Sequence, residues 1–533
     1  MGYQGQVATI PLGKAGLHTD DPQDDIPPGD LLESTNVTFE NNVAEKAPGS
    51  IRYNSSALTS GVVAVYDWWP MPWKQRMVAV TRDGKVWLFR NRTSATEITP
   101  NGDAPTALTI NGQVKILQVG NESSGRSKKL MILSGNDPIQ IISGDNLTRS
   151  NITSPAADWA IGNYPSFAFM SRNRVIAIGC DDNPHRVYVS DDDDHEQFAS
   201  GGGTIAIYPG EGDKLFGGYV YKGRAFLFKY PIGVYFIDDS GGSTPDTWIP
   251  KRASASFGVA SPHAIIEPMD DLLLANAEGS VTSLQATQAF GDVRSGDVLN
   301  NLRCEKYILK NSNPVGNPDR HAIYYKHKKQ IFFSYRSAAG TRNDRLLMMD
   351  VSNPQKARVS WLTKDQPNCL ALRKDIRGID RPIYGAEDGF IYLMDRTGRA
   401  VNGSAYSMDL QTSHMDFAGG DPAQAESNKL FDFLEVVFEP TGRWSVSIDV
   451  LIDGKFSETI NFQASWGNVL GDFPLGTSRL TPPVPRSARK ELHGMGRRIS
   501  FRCYNSGSYQ NIRLVKLRVY YRYSGQQQKD GEE

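Results

Sequence analysis

"RMVAVTRDGKVWLFR", Arg76–Arg90, sets two short apolar runs on either side of Asp83-Gly84. Asp-Gly between β-prone runs is a strong local hairpin signal, because both central residues of a two-residue turn need positive φ. The stretch before it, "GVVAVYDWWP" (Gly61–Pro70), is another apolar run that breaks at a proline. This strand, tight turn, strand pattern decides the fold, because it returns along most of the chain.

It recurs in "KKLMILSGNDPIQIIS" (128–143), "NRVIAIGCDDNPHRVYVSD" (173–191) and "DKLFGGYVYKGRAFLFKYPIGVYFID" (213–238). It comes again in "DDLLLANAEGSVTSL" (270–284), "HAIYYKHKKQIFFSYRS" (321–337) with "RLLMMDV" (345–351), and "RPIYGAEDGFIYLMD" (381–395). Helical periodicity is nearly absent. Repeated four-stranded units at spacings of about 40–50 residues, rich in Gly turns, predict a β-propeller of about seven blades, plus or minus one. A single unit cannot cover both its apolar faces, so the units must stack around a channel.

Two segments fall outside the rhythm. Residues 1–55 read as an extended N-terminal arm: Pro27, Pro28 and Pro48 deny it helix, and "NVTFEN" (36–41) is its one clear strand. Whether the arm clasps its own propeller or a neighbouring subunit is left open. Residues 56–415 are assigned to the propeller. After the polar linker "SHMDFAGGDPAQAESNK" (413–429), period-2 alternation resumes from Phe431, with Asp453-Gly454 as a hairpin turn. Residues 425–525 are therefore expected to form a C-terminal β-sandwich, and 526–533 a disordered tail. The fold class is all-β throughout.

Composition narrows the function classes. Of 533 residues, 39% are hydrophobic and 22% charged, as in folded proteins. Lys plus Arg (58) nearly cancel Asp plus Glu (59), so no overall field selects nucleic acid or membrane. Cys180, Cys304, Cys369 and Cys503 are scattered, which suggests free thiols rather than a zinc site or disulfide framework. No apolar run approaches the roughly 20 residues that cross a bilayer, and no secretory signal is visible, so synthesis in a cytoplasm is expected.

Candidate chemistry is sparse. In "RVYVSDDDDHEQFAS" (186–200) the aspartates Asp191 to Asp194 are consecutive, whereas a calcium loop needs alternating acidic oxygens and a Gly bend. A solvated inter-strand turn is the expected reading, a weak cation site the alternative. The eight histidines show no metal-ligand spacing, and no Gly-x-Ser-x-Gly elbow or phosphate-cradling loop occurs. No catalytic residue, metal or cofactor is expected, although paired carboxylates assembled across a propeller stay open as an alternative. Trp68, Trp69 and Trp73 in "YDWWPMPW" read as a packed blade edge or subunit contact, or else as a sugar platform. The basic run "RSARKELHGMGRR", with Arg486, Arg489, Lys490, Arg497 and Arg498, is placed in a loop that meets an acidic partner or phosphates, or nothing.

The order of parts resembles a known family. It begins with "IPPGDLLESTNVTFENNVAEKAPG" (26–49), then "NRVIAIG" and "RVYVSDDDDHEQF", then "GEGDKLFGGYVYKGRAFLFKYPIGVYFID" (210–238). It continues with "SFGVASPHAIIEPMDDLLLANAEGSV" (256–281) and the terminal sandwich. This is similar to the tail nozzle, or packaged-DNA stabilisation, proteins of short-tailed bacteriophages. Lys46, Pro48 and Gly49 keep the family's arm pattern, while Ala47 stands where a basic residue often continues. The matched core covers about 100 residues, and the rest agrees in order and type.

The resemblance implies a non-enzymatic virion protein that forms a ring, commonly a hexamer, below the portal and adaptor. Such a ring extends the DNA channel, retains packaged DNA until ejection, and carries tailspikes or fibres and a plug or needle. Double-stranded DNA would pass without sequence recognition, and no membrane anchoring is implied. The alternatives are a receptor- or glycan-binding propeller module and, less favoured, a propeller glycoside hydrolase.

Overall fold

The computed structural model describes residues 5–524 except 24, 121–127, 145–146, 193, 211–213, 285–295, 314–317, 354–355, 420, 440 and 467–485. The expected tail at 526–533 lies outside the described residues.

The described chain is all-β: seven antiparallel sheets stand around one axis as blades, and a two-sheet sandwich packs beside them. The innermost strands of blades 1 to 7 are, in order, Val62–Met71, Lys115–Val119, Phe167–Ser171, Lys214–Tyr221, Ile265–Ile266, Ala322–Tyr325 and Cys369–Lys374. Six blades are completed by the chain that follows. Blade 7 is completed by its beginning: Gly49–Arg52 pairs antiparallel with Ile391–Arg396 as the fourth strand.

The alternation that signals a strand also explains the stacking. In Arg224–Tyr230, Ala225 and Leu227 pack toward blade 3 while Phe226 and Phe228 pack toward blade 5. Each blade thus feeds two interfaces from opposite faces of one strand. The interface of blades 7 and 1 is built likewise from Ile383, Leu393, Met77 and Ala79, which closes the circle.

The Asp83-Gly84 hairpin forms, but not as the two-residue turn the dipeptide suggested. Only Gly84 has positive φ, at 79°. Its N–H donates to Thr81 O at 2.9 Å and Thr81 N–H donates to Lys85 O at 3.0 Å, a three-residue loop whose last position is left-handed. A Cβ on Gly84 would sit 2.1 Å from Leu108 O, so backbone approach as well as φ demands glycine. Asp453-Gly454 does follow the expected form, with both residues at positive φ.

The sandwich draws strands from both ends of the chain. One sheet orders Ala44–Lys46, Arg513–Tyr523, Lys429–Phe438 and Arg486–Gly496, with Gln6–Pro11 also on Arg513–Tyr523. The other orders Leu31–Thr35, Met408–Thr412, Ile499–Asn505, Gly442–Ile452 and Lys455–Trp466. Met408–Thr412, assigned to the propeller from sequence, is therefore a sandwich strand: Met408 and Leu410 point into the shared core. The arm is not draped over a surface. Its strands complete the sandwich and blade 7 of the same chain.

The second sheet also reaches blade 6, through the parallel pair Thr35 and Trp361. One apolar core then runs from Phe332, Met348 and Tyr384 in blades 6 and 7 to Val436, Ile448, Phe501 and Leu517 in the sandwich. Propeller and sandwich are one body.

Candidate functional site

Two places combine buried polar chemistry with a defined shape: the joint between propeller and sandwich, and the propeller channel. The joint is assembled by the arm. Asn36 Nδ2 donates to Thr363 Oγ1 at 3.0 Å and to Ser407 O at 2.7 Å, and its Oδ1 accepts from Thr363 N–H at 2.9 Å. Lys46 is fully buried; its Nζ donates to Asn505 Oδ1 at 2.9 Å and Gly507 O at 2.6 Å, and lies 4.7 Å from the Tyr406 ring centre. Burial pushes this amine down to about 8. Glu45, also buried, pairs with Arg399 and, at 3.2 Å, with Arg513. These contacts span more than 300 residues of sequence and place charge where water does not reach.

The channel is lined by the innermost strands of all seven blades and holds a cavity of about 870 Å³. Trp69, Asp67, Lys374, Glu267 and Asp380 belong to its lining, as do Phe167, His263 and His321. Asp67 is a brace between blades 1 and 7: it accepts from Trp69 Nε1 (3.1 Å), Gln75 Nε2 (2.8 Å) and the backbone N–H of Lys374 (3.1 Å). Burial raises its carboxyl above the usual range against those donors. Glu267 accepts from Tyr219, whose phenol is raised by burial and by that carboxylate.

The same cavity is lined by Lys115, Phe167, His263 and His321. Lys115 Nζ lies 4.5 Å from the Phe167 ring centre. The Phe167 edge meets His263 at 5.7 Å, and His263 stacks on His321 at 4.7 Å with planes 16° apart. Burial holds Lys115 down to about 8, and burial with the Lys115 charge holds His321 down to about 3. His263 is lowered well below its usual value by burial, His321 and Lys115.

The residues singled out from sequence do not form one site. Trp68 is fully buried among Val78, Leu88 and Ile116 between blades 1 and 2, Trp69 faces the channel, and Trp73 is 79% exposed on the turn after Met71. A sugar platform needs coplanar access; these three rings point to three environments.

The basic run is a strand, not a loop. Arg486–Gly496 pairs along Lys429–Phe438, because the alternation through Ala488 and Leu492 supplies an inward face. Arg489 lies over Phe433 (3.8 Å) and Tyr520 (4.0 Å), Lys490 over Phe462 (5.8 Å), and Arg497 pairs with Glu426 at 2.6 Å. Arg498 N–H donates to Asp453 Oδ1 at 2.9 Å, and Arg486 pairs in register with Phe438.

The aspartate run is an inter-strand turn, though a pinned one. Asp192 pairs with Arg174 at 3.3 Å, and Asp194 Oδ1 accepts from Glu196 N–H at 3.0 Å. His195 and Glu196 are buried, the latter pairing with Lys129 of blade 2. Asp193 lies outside the described residues. Among the described residues no group of three or more His, Cys, Asp or Glu is placed to hold a metal ion, and all four cysteines are buried free thiols.

No protein-family model matches the chain, and no curated protein matches it. Among solved structures, the chain is similar to an exo-β-1,3-galactanase from Phanerochaete chrysosporium crystallised with β-1,3-galactotriose. That likeness covers 89% of this chain and all of that one, at 8% identity and a TM-score of 0.27. Raptor from Chaetomium thermophilum aligns over 66% of this chain and 29% of its own, at 9% identity and a TM-score of 0.42. A family 43 arabinoxylan arabinofuranohydrolase from Bacillus subtilis aligns over 87% and 96%, at 10% identity and a TM-score of 0.25. At these values the likenesses bear on neither site nor chemistry.

Proposed function

We propose that this chain is a structural protein of a short bacteriophage tail, built into a ring below the portal and adaptor. The ring would prolong the DNA channel, retain packaged DNA, and offer its outer face to tailspikes or fibres and its tip to a plug or needle. One observation carries the reading. The stretch with the family's arm pattern, Ile26–Gly49, supplies buried locks: Asn36 and Glu45 tie the sandwich to Thr363 and Arg399, which follow strands of blades 6 and 7, and Lys46 ties the two sheets of the sandwich at Asn505. The pattern therefore coincides with a mechanical joint, while the channel carboxylates are engaged as braces. A rigid two-part subunit suits a closed cyclic ring, whose head-to-tail interfaces must repeat one rotation to close.

The test is negative-stain imaging of the purified protein, alone and mixed with a portal–adaptor complex. Closed rings that dock on the adaptor support the reading. Particles that stay single under both conditions, together with turnover of a surface polysaccharide lost on carboxylate-to-alanine substitution, overturn it.

A further inference from the structure

We propose that the propeller channel binds a small oxyanion, a carboxylate or phosphate, between Lys115 and His263, whose ring is backed by the stacked His321. This is a site of the propeller itself and stands apart from the ring reading.

The first argument is an uncompensated charge. Lys115 extends from the innermost strand of blade 2 into the channel, and among the described residues no carboxylate or hydrogen-bond acceptor meets its amine. Its one close companion is the Phe167 face, a weak partner for a desolvated ammonium. Burying a cation without a counter-ion is costly, and a bound anion removes that cost.

The second argument is the donor set beside it. His263 lines both the main cavity and a second recess of about 370 Å³ with Asn111, Ser166 and Lys214. Among the described residues no hydrogen-bond partner meets its ring, which stacks on His321. His321 is held in one tautomer. Its Nε2 faces Gln113 Oε1, whose own amide nitrogen is spent on Asp319 O (3.1 Å) and Asn368 O (3.4 Å). The proton therefore sits on Nε2, and the backbone at Leu370 favours the charged ring. What opposes that charge is burial and the neighbouring ammonium.

The third argument is what surrounds the three groups. From blades 1, 4 and 7 the cavity presents Asp67, Tyr219 and Lys374, and beside blades 5 and 7 Glu267 and Asp380. Asp67 and Glu267 are engaged as above, and among the described residues no carboxylate contributes to the charge environment of Lys115, His263 or His321. The lining also includes the apolar Phe169, Ile265, Ile323 and Leu370. Lys115 beside the imidazoles attracts an anion, and its charge offsets the repulsion that keeps them neutral. Binding should bring a proton onto the histidine pair.

The experiment is isothermal titration of the full chain at neutral pH, with benzoate in one arm and inorganic phosphate in the other, in two buffers of different ionisation enthalpy. Saturable binding near one anion per chain, with buffer-dependent heat showing proton uptake, is the expected result. Which arm saturates identifies the class. Lys115→Met should weaken binding at least tenfold, about 1.4 kcal/mol. Should that variant fail to fold, His263→Gln is titrated instead, and loss of the proton uptake is expected. No saturable heat from either anion in the millimolar range, or a folded Lys115→Met that binds as wild type, overturns the site.

Discussion

Lys46 Nζ donates to Asn505 Oδ1 at 2.9 Å, across 459 residues of sequence, inside a joint that excludes water. Among the described residues no carboxylate balances the amine there: its neighbour Glu45 is committed to Arg399 and Arg513. The same amine also serves Gly507 O, while Asn505 Oδ1 accepts in addition from the Gly507 N–H at 3.1 Å.

Lys46→Met should destabilise by about 1–3 kcal/mol at neutral pH, the cost of losing both bonds and leaving Gly507 O without this donor. The amine's folded pKa, about 8, lies below its ordinary 10.5, so the unfolded chain binds more protons between those values. This group makes stability rise as pH climbs through that window. The difference between wild type and variant, read from denaturant melts at several pH values, should widen from pH 8 toward 10.

Glu45→Ala leaves Arg399 buried without its anion, while Arg513 keeps Glu439 at 2.6 Å. A loss of about 3–5 kcal/mol is expected. Adding Arg399→Ala should recover part of it, because the stranded charge is then gone; equal melts for single and double variants would contradict the pairing.

Gly84→Ala meets two obstacles at once, the left-handed backbone and the carbonyl of Leu108. The φ alone costs about 1–3 kcal/mol. Thermal melting should fall accordingly, whereas alanine at Gly102, also left-handed but open, should cost less.

The tryptophans separate cleanly. Trp68→Ala empties a fully buried site between blades 1 and 2 and should cost about 3–5 kcal/mol. Trp73→Ser, on an exposed turn, should leave the melt within about 0.5 kcal/mol of wild type.

Strands and their stacking were legible because period-2 alternation is a local property. Arg224–Tyr230 declares both faces in seven residues, and the turn rhythm leads to the seven blades seen here. The basic run misled because its charges mask the alternation through Ala488 and Leu492, whose apolar neighbours lie on other strands. The channel cluster escaped notice for a different reason. Lys115, His263 and His321 sit on three blades, and no spacing rule joins them. One signal was present: His263-Ala264-Ile265 and His321-Ala322-Ile323 repeat at the entry of successive inner strands. The blade repeat is what sets one imidazole on the other. The joint was invisible because Lys46 and Glu45 look like ordinary surface residues until Asn505 and Arg399 arrive from far along the chain.

Blade 7 waits for its last strand in a way that sets a timetable. Gly49–Arg52 leaves the ribosome early but has no partner until Ile391–Arg396 follows, and Gln6–Pro11 waits longer still for Arg513–Tyr523. Neither circle nor sandwich can close on a nascent fragment, so interrupted translation yields chains with exposed strand edges. Maturity of the fold is thereby tied to completion of its synthesis.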